Sequence, residues 1–268
     1  MRAPAELVGM ATASRFDRFS DRLVTVVAMA LLGFGGLAVG IVSLTAAAVG
    51  LQSAGVELTP LRQIVLSLTF IQGVGLAVVG LAYVAVRDRA GLIGVRVPTG
   101  RDLLWVAAGV VALFVLVFAA GLLLQALGLE SNQNAVVDLA RQDPSILLVM
   151  IPAAFLVIGP AEELLFRGII QGRLRTVFGP APAILVASVI FGLAHLTAYA
   201  GGSGDVSAVA VPVGLLSVLS VIFGVAYERT GNLVVPALIH GAYDAILFSL
   251  LYFVLRYGGG ATAGALAV

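Results

Sequence analysis

The sequence predicts an all-α fold, a polytopic transmembrane helical bundle. Of its 268 residues, 60% are hydrophobic and only 11% are charged, whereas about 25% of the residues in an average soluble domain are charged. Several apolar runs exceed the roughly 18 residues that indicate a membrane-spanning helix. These two observations exclude a soluble domain and predict a multi-pass membrane protein.

Hydropathy predicts about seven membrane spans, with room for an eighth. The predicted spans lie near residues 23–50, 62–86, 103–127, 146–172, 181–200, 207–227 and 232–256. An additional half-spanning helix fits either the polar segment 129–145 or the Gly/Ala-rich segment 258–268. Glycines in the first two spans are expected to let helices pack closely. They are Gly33, Gly36, Gly40, Gly73, Gly75 and Gly80.

The arginine positions predict the orientation of these spans, because cytoplasmic loops of membrane proteins are enriched in basic residues. The N-terminal segment and the connections after the second, fourth and sixth spans are rich in arginine. They contain Arg2, Arg15, Arg18, Arg22, Arg87, Arg89, Arg96, Arg101, Arg173, Arg175 and Arg229. The opposite ends carry only Arg62, Arg141 and Arg256. The sequence therefore predicts a plasma-membrane protein with a cytoplasmic N-terminus.

Composition also limits the chemistry. The chain has no cysteine, which excludes disulfide bonds, thiolate catalysis and thiolate metal sites. The formal net charge is +1, so the charge balance gives no indication of a nucleic-acid partner.

Six ionisable residues fall inside the predicted spans rather than at their ends. They are Glu162, Glu163, Arg167, His195, His240 and Asp244, and they include both histidines of the chain. Such residues usually face the bundle interior and mark a functional site. At about 1.5 Å per residue, Glu162 lies roughly 16 Å, His195 about 21 Å and His240 about 13 Å from the predicted cytoplasmic end of its helix. Three helices thus place polar groups at similar depths in the bilayer.

Helical geometry separates the roles of these residues. Glu163 and Arg167 are four apart and share a face, so they are expected to form an internal ion pair. Glu162 points about 100° away from Glu163 and is left to face the other polar helices. His240 and Asp244, also four apart, present one surface.

Each group taken alone also has a structural explanation. The ion pair could simply brace its helix, His195 could be a packed hydrogen-bonding residue, and His240 with Asp244 could clamp two helices together. Their combination in a chain so poor in charge favours a functional site.

Three sequence motifs resemble those of a known family. "EELLFR" (162–167), "FGLAH" (191–195) and "HGAYD" (240–244) resemble the EExxxR, FxxxH and HxxxN/D motifs of the CPBP family. This family comprises CAAX prenyl proteases and bacteriocin-processing enzymes and is also called the Abi or type II CAAX endopeptidase family. The resemblance covers about residues 145–250. Phe191, four residues before His195, is expected to form a wall of the site.

The resemblance implies the fold of a type II CAAX prenyl protease and an intramembrane endopeptidase activity. The substrate would be a membrane-anchored protein or peptide, lipidated or not, cut near its C-terminus, and nucleic acid is not an expected partner. Residues 1–144 would hold the N-terminal membrane helices and a polar connector. The catalytic helical core would occupy 145–256, and 257–268 would be a short tail.

The resemblance places all six intramembrane residues in the catalytic site. It implies that Glu162 activates water with the help of His195, while His240 and residue 244 lie across the site. Many members have Asn at that last position, whereas this chain has Asp244. An ionised Asp cannot donate a hydrogen bond to an oxyanion, so the oxyanion role of this position is in doubt.

Two mechanisms stay open at this point. In one, Zn²⁺ activates the water, held by His195, His240 and either Glu162 or Asp244, with the other carboxylate as general base. In the other, no metal is needed. Glu162 takes the proton from water, and His240, with a protonated Asp244, stabilises the oxyanion. The Asp at 244 slightly favours metal.

The expected site is a polar cavity between the fourth and seventh spans that opens toward the cytoplasm. Two other function classes are alternatives. A proton-coupled transporter would also use intramembrane carboxylates and histidines, although the sequence shows no inverted repeat. A catalytically silent scaffold of the same fold is the second alternative, although the motifs are intact.

Overall fold

The computed structural model describes residues 4–87, 91, 93–129, 131–201 and 206–258, with side chains from residue 19 onward. Helices form the regular structure of this part of the chain, which confirms the predicted all-α class. The helices are α1 Pro4–Ser53, α2 Pro60–Arg87, α3 Gly100–Leu127, α4 Ala135–Gln142, α5 Ile146–Phe178, α6 Pro180–Ala194, α7 Leu196–Tyr199, α8 Val206–Thr230 and α9 Val234–Tyr257.

Six helices of the described part are long and apolar enough to cross a membrane, one fewer than the seven predicted spans. They are α1 from Phe19 onward, α2, α3, α5, α8 and α9. The span predicted at 181–200 is instead two shorter helices, α6 and α7, which meet at His195. The apolar run continues through this break, so hydropathy alone could not locate it. The predicted half-spanning helix at 129–145 is the eight-residue α4, and 259–268 lies outside the described residues.

Helix α5 lies at the centre of the bundle. In its most apolar 18-residue window 56% of the residues are buried, against 11–39% for the other five long helices. Its interior position explains how it tolerates charges, because they are turned toward protein rather than lipid. Parts of α2 and α5 are π-helical, at Leu68–Val78, Ala154–Ile158 and Leu164–Gln171. Such wider turns are frequent at functional sites.

Small residues bring α1 and α2 into backbone contact, as predicted. A Cβ on Gly36 would lie 2.5 Å from the carbonyl oxygen of Gly75, and one on Gly40 would lie 2.9 Å from Ile71 Cα. Gly33 and Gly80 instead face isoleucines of α5. The prediction is wrong for Gly73, where an added Cβ would meet only a carbonyl of its own helix.

Two further glycines hold α9 against α5. A Cβ on Gly159 would lie 2.8 Å from the carbonyl oxygen of Ala237, and one on Gly241 would lie 2.8 Å from Phe155 Cδ1. These close contacts flank the positions of Glu162 and His240 in their helices. They therefore set the distance at which the polar residues of the two helices meet.

The connection between α2 and α3 is fixed by an ion pair near the end of the bundle. Arg96 contacts Asp102 through both terminal nitrogens, with Nη2 2.9 Å from Oδ1. Thr99 caps α3 in a reciprocal capping box with Asp102. The hydrogen bonds that Arg96 donates to the Asp102 carboxylate raise the pKa of the guanidinium above its ordinary value. We call Arg96, Thr99 and Asp102 the boundary cluster.

Candidate active site

Glu163 and Arg167 form a fully buried ion pair on α5. Both side chains are 0% exposed, and Arg167 Nε donates to Glu163 Oε2 at 2.9 Å. Arg167 Nη2 donates to Ser220 Oγ of α8 at 3.0 Å. The guanidinium also lies over the rings of Phe191 and Phe223, 5.0 and 5.5 Å from their centroids, an arrangement that favours a cation. The expected ion pair is present and ties three helices together.

Glu162, one residue earlier, faces the neighbouring helices. Its Oε1 accepts a hydrogen bond from Gln72 Nε2 of α2 at 2.9 Å. Its Oε2 is buried and has no hydrogen-bond partner within the described residues. That oxygen lies 3.7 Å from His195 Nε2 and 3.9 Å from His240 Nε2. The groups expected to meet do meet, with one carboxylate oxygen still able to accept a proton.

His195 owes its orientation to the end of α6. Its backbone N–H donates to Gly192 O at 3.0 Å, and not to Phe191 O as in a regular α-helix. The carbonyl oxygen of Phe191 is instead bonded to the imidazole, whose Nδ1 lies 2.8 Å away. A carbonyl oxygen only accepts, so Nδ1 carries the proton. Nε2 is therefore the nitrogen presented to Glu162, and Phe191 packs beside the ring at 4.6 Å between centroids.

His240 is held on two sides. Its Nδ1 lies 3.0 Å from Glu163 Oε1, and because a carboxylate accepts, Nδ1 donates. Its ring stacks on Phe223, with centroids 4.9 Å apart and planes at 13°. Its Nε2 lies 3.5 Å from Asp244 Oδ2. Glu163 thus links Arg167 to His240, and Asp244 joins the cluster through His240.

A cavity of about 600 Å³ adjoins these groups and is lined by Glu162, His195, His240 and Asp244. Its walls are mostly apolar and come from α1, α2, α8 and α9. The expected cavity between the fourth and seventh spans is therefore present but larger. It extends to the first two helices, because Gln72 brings α2 to Glu162, and to the connector before α5.

Comparison with known families gives one match. Residues 144–246 match the family described as type II CAAX prenyl endopeptidase, Rce1-like. Residues 144–246 are an Rce1-like domain. Neither the curated proteins nor the solved structures give a match. The Rce1-like domain contains all three motifs and ends two residues beyond Asp244, consistent with the CPBP resemblance. The match to this family points to a membrane protease.

The donor-atom distances in the Rce1-like domain bear on the predicted metal site. Zinc bonds of about 2.0–2.1 Å place the donor atoms of a tetrahedral site about 3.3 Å apart. Glu162 Oε2 lies farther than this from both imidazole nitrogens. Among the described residues, no group of three or more His, Asp or Glu side chains is spaced to hold a metal ion. The residues as placed do not fit zinc, so the steps proposed below use protein groups alone, and metal dependence stays a prediction.

Two contacts of the site were missed by sequence reasoning. Gln72 lies outside the Rce1-like domain and was passed over because only ionisable residues were considered. A glutamine inside a long apolar run was a usable signal. Ser220 hydrogen-bonds to Arg167 across 53 residues, and nothing in its local sequence distinguishes it from other span serines.

Proposed function

We propose that this protein is an intramembrane endopeptidase that hydrolyses a peptide bond near the C-terminus of a membrane-associated protein or peptide. The observation that supports it is the meeting of Glu162, His195 and His240, from three helices, at the wall of one cavity. The family match points to the same class of enzyme.

The first step is attack of water on the scissile carbonyl carbon. The water contacts both Glu162 Oε2 and His195 Nε2 from the cavity side, because these atoms are 3.7 Å apart, close enough for one water to hydrogen-bond to both. Glu162 Oε2 takes one proton as a C–O bond forms. Gln72 holds the other oxygen of Glu162 and so fixes the orientation of the base.

The second step is collapse of the tetrahedral intermediate. His240 in its protonated form has been donating Nε2–H to the oxyanion since it formed in the first step. Glu162 then passes its proton to the amide nitrogen, the C–N bond breaks, and a carboxylic acid, which retains the other proton of the water, and an amine leave. Glu163 and Arg167 do not touch the reacting atoms in this scheme. They are positioning residues that hold the His240 ring.

Replacing the base tests the proposal. We expect Glu162→Gln to lower cleavage at least 100-fold, as for the loss of a general base, while the Gln side chain keeps an acceptor for Gln72. The measurement is mass spectrometry of membrane-protein C-termini from cells that carry either form. Glu228→Gln is the matched control, because Glu228 pairs with Arg175 away from the cavity. Identical C-termini with wild type and Glu162→Gln would reject a protease.

The zinc alternative has a separate test. Metal analysis of the purified protein, compared with His195→Ala, measures whether a bound ion depends on the site. A full equivalent of zinc that His195→Ala loses would favour the metal-dependent route over the carboxylate route. The proposed location is the plasma membrane, with the N-terminus in the cytoplasm as the arginine distribution indicates.

A further inference from the structure

The helix ends rich in arginine form one face of the bundle. Arg175 Nη2 pairs with Glu228 at 3.0 Å, which joins the ends of α5 and α8. Arg96 Nη2 donates to Thr230 O at 3.2 Å, which joins the connection before α3 to the end of α8. Arg22 Nε donates to a carbonyl at the end of α5. We call these ends the arginine-rich face.

The opposite ends meet at a second face, which contains the connector before α5. Asn132 bonds through its backbone N–H to Ala208 O of α8 and through Nδ2 to Tyr199 O of α7. An apolar cluster that includes Ile64, Ala140 and Leu251 joins the start of α2, α4 and the end of α9. We call this the arginine-poor face.

The cavity reaches only the arginine-poor face. Its lining includes Asn134 and Ala135 of the connector and Thr197 and Tyr199 of α7, and Ala135 and Thr197 are exposed. Among the described residues, none that lines it lies at the arginine-rich helix ends. On that side α5 is sealed by fully buried side chains such as Leu165, Ile169 and Leu174.

The predicted orientation of the spans and the predicted cytoplasmic opening of the cavity therefore exclude each other. Arginine enrichment places the arginine-rich face in the cytoplasm, whereas the expected cytoplasmic opening would need the cavity to end there. The arginine distribution involves many residues, on the N-terminal segment and three connections, whereas no second observation supported the cytoplasmic opening. The orientation is retained, and the expected opening is replaced.

We propose that the cavity receives its substrate from the extracytoplasmic side. Resting on the proposed function, this makes the substrate an exported peptide or a membrane protein whose C-terminal segment lies outside the cell. The polar mouth at Asn134 and Tyr199 suits the backbone of an extended segment. The apolar walls from α1 and α2, such as Leu37, Ile41 and Ile71, suit its hydrophobic side chains.

The cysteine-free sequence allows a direct test. Single Thr→Cys variants at Thr197, at the mouth, and at Thr176, exposed at the arginine-rich end of α5, form a matched pair. Intact cells are treated with a membrane-impermeant maleimide. We expect Thr197→Cys to be labelled on intact cells and Thr176→Cys only after permeabilisation. Labelling of Thr197→Cys only after permeabilisation would overturn the proposal.

A second readout connects the mouth to the chemistry. Attaching a bulky maleimide to Thr197→Cys is expected to lower cleavage at least 10-fold relative to the same variant before treatment. Treating permeabilised Thr176→Cys should leave its cleavage unchanged. Equal effects on both variants would reject the mouth as the access route. The labelling result needs no enzyme activity, so failure of the access model and failure of the protease proposal are distinguishable.

Discussion

Two arginine–carboxylate pairs in this protein have different surroundings. In the boundary cluster, Arg96 is 44% exposed, and both Asp102 oxygens accept hydrogen bonds. In the bundle interior, Glu163 and Arg167 are 0% exposed, and the adjacent Glu162 keeps one buried oxygen without a partner. In the boundary cluster both carboxylate oxygens have hydrogen-bond donors, and the pair holds the loop between α2 and α3 in place. The interior arrangement holds charges where water is scarce and leaves an acceptor facing a cavity, as a proton-transfer site requires.

The largest expected effect comes from breaking the interior pair. Arg167→Met should lower the free energy of unfolding by about 3–5 kcal/mol, because it leaves the buried Glu163 carboxylate without compensation. The measurement is unfolding of the purified protein in detergent. Arg96→Met, which breaks the pair at the bundle end, is the control and should lower stability less, because Arg96 is 44% exposed and Asp102 keeps its hydrogen bonds from Thr99.

A double variant sharpens this comparison. Adding Glu163→Gln to Arg167→Met removes the uncompensated charge, so part of the lost stability should return. If the double variant were as unstable as Arg167→Met, lost packing around the guanidinium would explain the effect instead of the charge.

The next effect concerns Glu162, the proposed base. Gln72→Leu should lower kcat about 10-fold or more with little change in KM, because hydrogen bonds to charged groups contribute about 1.5–3 kcal/mol. Gln63→Leu on the same helix removes only a bond to the Leu58 carbonyl and should leave kcat unchanged. A rise in KM without a fall in kcat would show that Gln72 contacts substrate rather than positioning Glu162.

The smallest expected effect concerns the hydrogen bond from Arg167 to Ser220. Ser220→Ala should lower stability by about 1 kcal/mol, because Arg167 loses one acceptor but keeps Glu163 and two ring faces. Ser188 is the matched control, since its buried Oγ has no hydrogen-bond partner among the described residues. Equal unfolding curves for Ser188→Ala and Ser220→Ala would show that the serine contact contributes nothing.

The local geometry of the site was predictable, and the long-range geometry was not. Glu163 with Arg167 follows from four-residue spacing on one helix, and the spans of α5 and α9 follow from hydropathy. The break at His195 lies inside a continuous apolar run, so composition cannot detect it. The Gln72 contact joins residues 90 positions apart, and the side on which the cavity opens depends on how the helix ends are covered. Neither follows from periodicity within one helix.

The bond from Gln72 to Glu162 also concerns how the chain is divided. The Rce1-like domain begins at residue 144, yet Glu162, its proposed catalytic carboxylate, accepts a hydrogen bond from Gln72 on a helix of the preceding half. The matched region is therefore not a self-sufficient module. A chimera that joined it to foreign N-terminal helices would retain Glu162, His195 and His240. It would lose the hydrogen bond from Gln72 to Glu162. If Glu162 is the base, we expect variation in those first helices to change turnover without altering any motif.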